Sequence, residues 1–186
     1  SAYDSQERRV EKKIYSWDPG TSAWVLDETI TYVWDGYNIL AEYSDEGWTH
    51  YYTWGLDLSQ SLQGAGGVGG LLAMHRDTGT STDTYLYGFD ANGNVVHLQD
   101  ASDGSVVAAY QYSPFGQVTS ATGAMATTNT VRWSTKPTDD ESALVVYEFR
   151  DYDPKMGRWL STDPIGESGS VNLFAFFSIN QHTILR

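Results

Sequence analysis

The feature that most constrains the fold is a short motif that recurs along the chain. It consists of an aromatic residue, an Asp or Ser, a short turn, a basic or amide residue and an apolar one. The five copies are YDSQERRV from Tyr3, WDGYNIL from Trp34, FDANGNV from Phe89, YSPFGQV from Tyr112 and YDPKMGRW from Tyr152. The aromatic side chain suits a pleated sheet and is expected to pack inward, the Asp caps the turn, and glycine supplies a positive φ. Each copy therefore predicts one β-hairpin.

Further turn signals lie between and within these copies. Asn92-Gly93 and Asp103-Gly104 are strong two-residue hairpin turns, and Asp35-Gly36 and Asp45-Glu46-Gly47 suit turns as well. Aromatic residues make up 14% of the chain, and its 18 glycines far outnumber its 5 prolines, which also favours strands joined by tight turns. The uneven spacing of the copies argues against a solenoid of fixed period. The sequence predicts an all-β meander.

Two stretches depart from this pattern. Gln63 to Gly70, QGAGGVGG, is too rich in glycine for the interior of a strand and predicts a loop. Its Gly64, Gly66 and Gly69 satisfy G-x-G-x-x-G, but no convincing helix follows, so a loop is favoured over a dinucleotide site. Ala121 to Thr130, ATGAMATTNT, is small and polar and is expected to cross between sheets or over the surface. With 186 residues, one domain suffices.

Charge and composition exclude several classes of partner. The formal net charge of −13 argues against a nucleic-acid binder, which must bring positive groups to the phosphates. There is no cysteine, so no disulfide is expected and redox chemistry does not indicate a compartment. No apolar run approaches the roughly 20 residues of a membrane span, and SAYDSQERRVEKK lacks the apolar core of a signal peptide. We expect no nucleic acid partner and no membrane span.

Metal and cofactor signals are weak. Asp90, Asn92 and Asn94 resemble part of a calcium loop, but the bidentate acid that such a loop needs is absent, and the hairpin already explains them. The histidines show no zinc-ligand spacing; they are His50, His75, His97 and His182. The sequence predicts neither a metal nor a cofactor.

At family level, the repeat resembles the YD repeat of the RHS proteins. The stretch from Arg132 to Phe174 is similar to the RHS repeat-associated core, and its ordered series GRW, DPIG and NLF is the most specific part of the likeness. YTWGLDLSQSLQGAGGVGGLLA, from Tyr52 to Ala73, resembles the region that precedes this core. The resemblance divides the chain into a YD-repeat sheet, residues 1–131, and a truncated core-like segment, residues 132–186, within one structural unit.

The resemblance implies antiparallel β-hairpin repeats that form part of a spiralling sheet or shell. It also implies a secreted or cell-surface bacterial protein, with other parts of an RHS shell as partners. Such shells commonly enclose a toxic C-terminal domain. We therefore expect a structural or encapsulating element, with no toxin cargo in this chain.

In the family, the core is also an aspartyl-type self-cleaving plug. The resemblance makes Asp163 of DPIG one catalytic carboxylate and Arg158 of GRW the neighbour that holds charge beside it. Such chemistry needs two carboxylates, one ionised and one protonated. The second Asp-x-x-Gly is missing, because no Asp, Pro or Gly follows Gly169. A structural ion pair, with Asp163 capping the turn before Pro164, is favoured, and self-cleavage stays open as an alternative.

Two other functions remain open at this point. A sheet too short to close leaves open strand edges, which favour self-association or adhesion through strand pairing. The tail FFSINQHTILR, from Phe176 to Arg186, is apolar enough to dock as such a strand. A carbohydrate-binding face is the other alternative; it would use Trp48, Tyr51, Tyr52 and Trp54.

Overall fold

The computed structural model describes residues 1–168 and 172–176, and these form two antiparallel sheets. The ten strands of the first sheet are β1 (Ala2–Tyr3), β2 (Arg9–Asp18), β3 (Ala23–Asp35), β4 (Asn38–Ser44), β5 (Thr49–Trp54), β6 (Leu71–Asp77), β7 (Thr82–Phe89), β8 (Val95–Asp100), β9 (Val106–Tyr112) and β10 (Val118–Thr122). The second sheet contains β11 (Thr138–Asp139), β12 (Leu144–Val146), β13 (Asp151–Asp153) and β14 (Arg158–Trp159). Short 3-10 turns cover Trp133–Thr135 and Gly166–Ser168.

In both sheets, strands that follow one another along the chain are also neighbours in space. Asp35-Gly36 joins β3 to β4, and Asp45-Glu46-Gly47 joins β4 to β5. Asn92-Gly93 and Asp103-Gly104 connect the next pairs of predicted strands, β7 to β8 and β8 to β9. The predicted all-β meander is therefore confirmed.

Each copy of the repeat motif spans the turn of one hairpin. In four copies the second residue accepts a hydrogen bond from a backbone N–H of the turn; these residues are Asp4, Asp90, Ser113 and Asp153. The copy at Trp34 uses a distant side chain instead. Gln63 Oε1 accepts from the Tyr37 N–H at 2.9 Å, and Gln63 Nε2 donates to the Asp35 carbonyl at 2.9 Å. The Gly-rich loop thus stabilises this hairpin from outside.

The expectation that the aromatic residue of each copy packs inward is wrong for the first copy. Tyr152 is fully buried, and Trp34, Phe89 and Tyr112 pack against the core. Tyr3, in contrast, is 56% exposed. It lies in the two-residue strand at the edge of the first sheet, where no further strand extends the apolar face.

The inner face of the first sheet is apolar and is covered by residues 123–137, called here the crossing segment. The segment leaves β10 at Gly123, whose φ is 104° and where a Cβ would lie 2.2 Å from the Val107 carbonyl oxygen. Only glycine tolerates both this conformation and this approach. The apolar side chains that meet between sheet and segment are Ile30, Tyr52, Met74, Val95, Leu98, Tyr110, Met125 and Val131. Of the stretch predicted to cross between sheets or over the surface, Ala121 to Thr130, the first two residues belong to β10 and the rest lies in the crossing segment.

Asn129 fastens the crossing segment to the sheet. Its side chain is fully buried. Its Oδ1 accepts from the Tyr87 hydroxyl at 2.7 Å, and its Nδ2 donates to the Tyr110 hydroxyl at 3.2 Å and to the Val131 carbonyl at 2.8 Å. The Tyr110 hydroxyl in turn donates to the Ala126 carbonyl at 2.9 Å. One amide therefore satisfies polar groups of the sheet and of the segment together.

Thr135 makes a second attachment. Its hydroxyl donates to the Gly93 carbonyl and accepts from the Gly69 N–H, both at 2.7 Å. The backbone takes part as well, because the Val95 N–H donates to the Arg132 carbonyl at 3.0 Å. The crossing segment is thus bonded to the β7–β8 turn and to the Gly-rich loop at the same point.

The predicted loop from Gln63 to Gly70 is confirmed, and Asp57 organises it. The Asp57 side chain is buried; its Oδ2 accepts from the N–H groups of Ala65 at 2.6 Å and Gly67 at 3.2 Å. Its Oδ1 accepts from the N–H and the hydroxyl of Ser59. Burial alone would raise the pKa of Asp57, but these hydrogen bonds outweigh it and lower the pKa to about 2.

The second sheet is bonded to the first. Tyr152, buried at its centre, donates its hydroxyl to the Phe115 carbonyl in the β9–β10 turn at 2.8 Å. At the other end of the chain, Arg9 pairs with Asp139 at 2.7 Å. The domain boundary predicted between residues 131 and 132 lies inside the crossing segment and stays a prediction.

We predict that Asn129→Ala lowers the free energy of unfolding by about 2–4 kcal/mol, because it leaves buried hydroxyl and carbonyl groups without partners. Urea denaturation followed by tryptophan fluorescence measures the loss. Gln111→Ala, at an exposed position of β9, is the control and should change stability by less than about 0.5 kcal/mol. Equal losses in the two variants would show that Asn129 does not fasten the segment.

We also predict a pH dependence that comes from Asp57. Because its pKa is lowered on folding, its contribution is present above about pH 4 and is lost as the pH falls towards about 2. Asp57→Asn should therefore destabilise the protein at neutral pH and flatten the fall in melting temperature between these two pH values. Asp35→Asn, at an exposed position, is the matched control. Parallel curves for Asp57→Asn and wild type would contradict this role.

Candidate functional site

The structure places Asp163 in the turn that follows β14. Its Oδ1 accepts from the Ile165 N–H at 3.0 Å, which caps the turn around Pro164. Its carboxylate forms an ion pair with Arg150, with 3.1 Å between Nη2 and Oδ2. The Arg150 guanidinium also lies over the Trp159 ring, 4.3 Å from its centroid. Asp163 is therefore held by Arg150, the residue just before β13.

That arginine is not the one predicted from the sequence. Arg158 begins β14, and its guanidinium lies over the Phe174 ring, 4.6 Å from the centroid. Within the described part of the chain, no ion pair joins Arg158 to Asp163. Sequence reasoning missed Arg150 because only the pairing of β13 with β14 brings the residue before β13 close to the residues after β14. The catalytic role of Asp163 and Arg158 stays a prediction.

Aspartyl chemistry would also need a second carboxylate beside Asp163. Among residues 1–168 and 172–176, no other carboxyl group makes a hydrogen bond with it. Asp151 is the half-buried acid in the second sheet, and burial, reinforced by the charge of Asp139, raises its pKa. The proposed docking strand from Phe176 to Arg186 lies, except for its first residue, outside the described residues.

The four aromatic residues considered for carbohydrate stacking do not share one face. Tyr52 is buried on the inner face, and Trp54 and Trp48 pack against the same core. Trp54 Nε1 donates to the Ile39 carbonyl at 2.7 Å. Tyr51 points the other way and is 43% exposed, so these residues provide no common stacking platform.

The remaining motifs have structural roles. The glycines of G-x-G-x-x-G lie in the Asp57 loop, and Asp90 Oδ1 accepts from the Asn92 and Asn94 N–H groups of a hairpin turn, both at 2.9 Å. In the described residues, no cluster of three or more His, Asp or Glu could hold a metal ion. None of the helical segments in that part of the chain has the length and hydrophobicity of a membrane span.

The structure reveals a polar site that sequence reasoning missed. A cavity of about 300 Å³ lies between the inner face of the first sheet and the crossing segment. Along its floor, direct cross-strand partners form a row from β3 to β6: Tyr32, Glu42, His50 and Arg76. Such a row is unusual on a face that is otherwise apolar. The signal in the sequence was Glu42 and His50 at inward-facing positions of their strands.

The centre of this row is closely packed. His50 Nδ1 lies 3.4 Å from Glu42 Oε2, and the Tyr52 hydroxyl donates to the same oxygen at 3.1 Å. The Trp48 ring stacks on the His50 ring at 4.3 Å. Burial, together with the charge of Glu42, raises the pKa of Tyr52 well above its ordinary value, so this hydroxyl stays a donor.

A second charged group closes the cavity from the side of the crossing segment. Asp139 pairs with Arg9 at 2.7 Å and with Lys12 at 3.1 Å. Burial would raise the pKa of Asp139, but the hydrogen bond and the charge of Arg9, with Lys12, hold it below the ordinary value. Asp139 is therefore an ionised partner for Arg9 and Lys12 of β2.

Known proteins resemble this chain over most of its length. It is 26% identical over 181 residues to the double-stranded DNA deaminase toxin A of Burkholderia cenocepacia, an alignment that covers 94% of this chain and 12% of that protein. It is 40% identical over 80 residues to the toxin subunit YenC2 of Yersinia entomophaga, which covers 41% of this chain and 8% of the relative. The chain thus spans a small part of the relatives it matches.

The fold is also known from solved structures. The crystal structure of TcdB2-TccC3-TEV superposes with a TM-score of 0.68 at 19% identity, over 94% of this chain and 8% of that one. The crystal structure of TcdB2-TccC3-Cdc42 superposes with a TM-score of 0.66, over 93% and 8%. The family model of the teneurin YD-shell matches residues 66–175, which is more than half of the chain. The chain therefore belongs to the YD-shell family of RHS and YD-repeat proteins.

Proposed function

We propose that this chain is a wall segment of a shell that encloses a polypeptide. The observation that carries the proposal is the strict order of the first sheet, in which ten strands follow one another without a crossover. Such a sheet extends in one direction as the chain lengthens, and it is a surface rather than a closed core. The crossing segment then fixes its curvature from the inside.

The names of the relatives support this function. They include a DNA deaminase toxin, a toxin subunit and nucleases, in which the matching stretch is a small part of a much longer chain. An element shared by proteins with such different activities is more simply a common container than a common catalyst. Because several of these relatives are named as toxins, we also propose that the protein acts outside the cell, secreted or on a bacterial surface.

The edges of the first sheet suit this role. Among residues 1–168 and 172–176, β1 and β10 each have one neighbour in the sheet, so the other side of each is an edge at which a further strand could pair. In a shell, further wall strands would pair there. A second copy of the chain could use the same edges, which makes self-association the rival function.

We further propose that Asp163 is structural in this chain. Its side chain is 22% exposed, that of Arg150 is 15% exposed, and the two hold the turn after β14 against the second sheet. A partly buried ion pair with a stacked guanidinium is sufficient to account for both residues.

A graft tests the wall function. Residues 66–175, which match the YD-shell family model, replace the corresponding YD-shell segment of toxin subunit YenC2, and a protease-labile reporter peptide is placed downstream. We expect the grafted protein to protect the reporter so that added protease cuts it at least about tenfold more slowly than the free peptide. The control graft carries Asn129→Ala, which detaches the crossing segment and should reduce the protection.

Two outcomes would count against the wall function. A reporter that is cut as fast in the folded graft as when free would show that the segment does not complete a wall. Ring or filament formation by the isolated chain, seen by light scattering and electron microscopy and abolished by Thr119→Pro in β10, would favour self-assembly instead.

A double-mutant cycle tests the role of Asp163. We predict that Asp163→Asn and Arg150→Gln are coupled by about 1 kcal/mol in the free energy of unfolding, whereas Asp163→Asn and Arg158→Gln add within about 0.5 kcal/mol. Intact mass spectrometry of wild type and Asp163→Asn should give one uncut chain each. Coupling through Arg158, or a shorter mass that only the wild type produces, would support self-cleavage.

A further inference from the structure

Among the described residues that line the cavity on the inner face, one arginine forms no ion pair. Its floor is the row from Tyr32 to Arg76, and its roof carries the hydroxyl side chains of Thr127, Thr128 and Thr130 from the crossing segment. Because the cavity wall contains both acidic and basic residues, the ligand chemistry depends on which of these already have partners.

The carboxylates of the cavity wall are all satisfied. Each accepts a hydrogen bond from a neighbouring side chain; the donors are Trp48 for Glu28, Tyr52 for Glu42, Arg9 for Asp139, Arg132 for Asp140 and Lys12 for Glu141. Of the three Lys and Arg residues that line the cavity, Arg9 and Lys12 are paired through these hydrogen bonds. Each carboxylate of the cavity therefore already has a donor, whereas one basic residue of the cavity has no acceptor in the part of the chain that the structure describes.

Arg76 is the exception. Within the described residues it makes no ion pair, and its buried Nε has no hydrogen-bond partner. Its cross-strand partner on β7 is Asp83, but that carboxylate accepts from the Ser81 hydroxyl at 3.4 Å and does not pair with Arg76. A buried Nε–H without a partner requires an acceptor.

His50, which lies next to Arg76, also has a buried nitrogen without a hydrogen-bond partner among the described residues. It is the cross-strand partner of Arg76 on β5, and its side chain is only 3% exposed. Nδ1 faces Glu42, while the buried Nε2 has no hydrogen-bond partner in the described structure. Two neighbouring side chains therefore each present a buried nitrogen whose bonding capacity is unused, and both line the cavity.

We propose that Arg76, beside His50, binds a carboxylate group in this cavity. The guanidinium presents planar pairs of N–H donors that match the two oxygens of a carboxylate, and threonine hydroxyls on the roof add further donors. The source is an acidic side chain of an enclosed polypeptide, a step that rests on the proposed wall function. A dissolved carboxylate shares the chemistry but not the source.

The test uses the full chain labelled with ¹⁵N. The resonances of the Arg76 Nε–H and the Trp48 indole N–H are followed by NMR during titration with sodium acetate, and with sodium chloride at equal ionic strength. The peptide Ac-Ala-Glu-Ala-NH₂ and its Gln counterpart form the second pair of probes. We expect saturating shifts with acetate and with the Glu peptide, and no saturating shift with chloride or the Gln peptide.

Variants locate the site. Arg76→Gln should weaken acetate binding at least about tenfold, and Arg76→Lys, which keeps the charge but not the fork of donors, should weaken it less. Lys13→Gln removes the same charge from a half-exposed position of β2 outside the cavity and should leave binding unchanged. Circular dichroism verifies the fold of each variant, and the comparison of acetate with chloride on wild type decides the matter if a variant does not fold.

Three results would overturn the proposal. The first is equal, non-saturating shifts with acetate and chloride. The second concerns Asp83→Asn without acetate. If this substitution shifts the Arg76 Nε–H resonance as much as acetate shifts it in wild type, Arg76 is paired with Asp83 in solution. The third is saturation by acetate without any response to the Glu peptide, which would show that the site does not bind an acidic side chain of a polypeptide. The wall function is tested separately, by the protection of the reporter in the graft.

Discussion

The fold depends on covering one face of a long open sheet. Ten strands in chain order bury their apolar side chains on the inner face only, and a single sheet cannot shield that face by itself. The crossing segment supplies the cover, but it brings backbone N–H and C=O groups into an apolar layer. Asn129 donates to the Val131 carbonyl, and the Val95 N–H of the sheet donates to the Arg132 carbonyl, so these buried groups are satisfied. The crossing segment must therefore cover the apolar face and at the same time find hydrogen-bond partners for its own buried backbone groups.

The same requirement explains why the inner face carries a polar site. In the cavity between the sheet and the crossing segment, the inner face presents the polar side chains of Glu42, His50 and Arg76. The ion pair of Arg9 and Asp139 closes one side of this cavity. Buried charges are costly unless they are paired, so nearly all of these groups have partners. Arg76 departs from the rule, because its buried Nε has no hydrogen-bond partner in the described part of the chain.

Much of the fold was predictable, because hairpin turns are local. Asn92-Gly93 and Asp35-Gly36 specify turns through backbone conformations that few other residue pairs adopt, and the repeat motif adds its own capping side chain. The site was less predictable. Arg158 was placed beside Asp163 by its proximity in a motif, whereas strand pairing gives that place to Arg150. The row through Glu42 and His50 required knowing the register of four strands.

The sequence by itself indicated strands joined in hairpins that follow one another along the chain, since these follow from turn chemistry and alternation over a few residues. It also determined the family, through motifs that are quoted from a continuous stretch of chain. Tertiary structure decided which face each charged side chain occupies and what it meets there. Those contacts join residues far apart in sequence, such as Arg9 with Asp139 and Gly69 with Thr135, and depend on sheet register and on the path of the crossing segment. No local pattern encodes them.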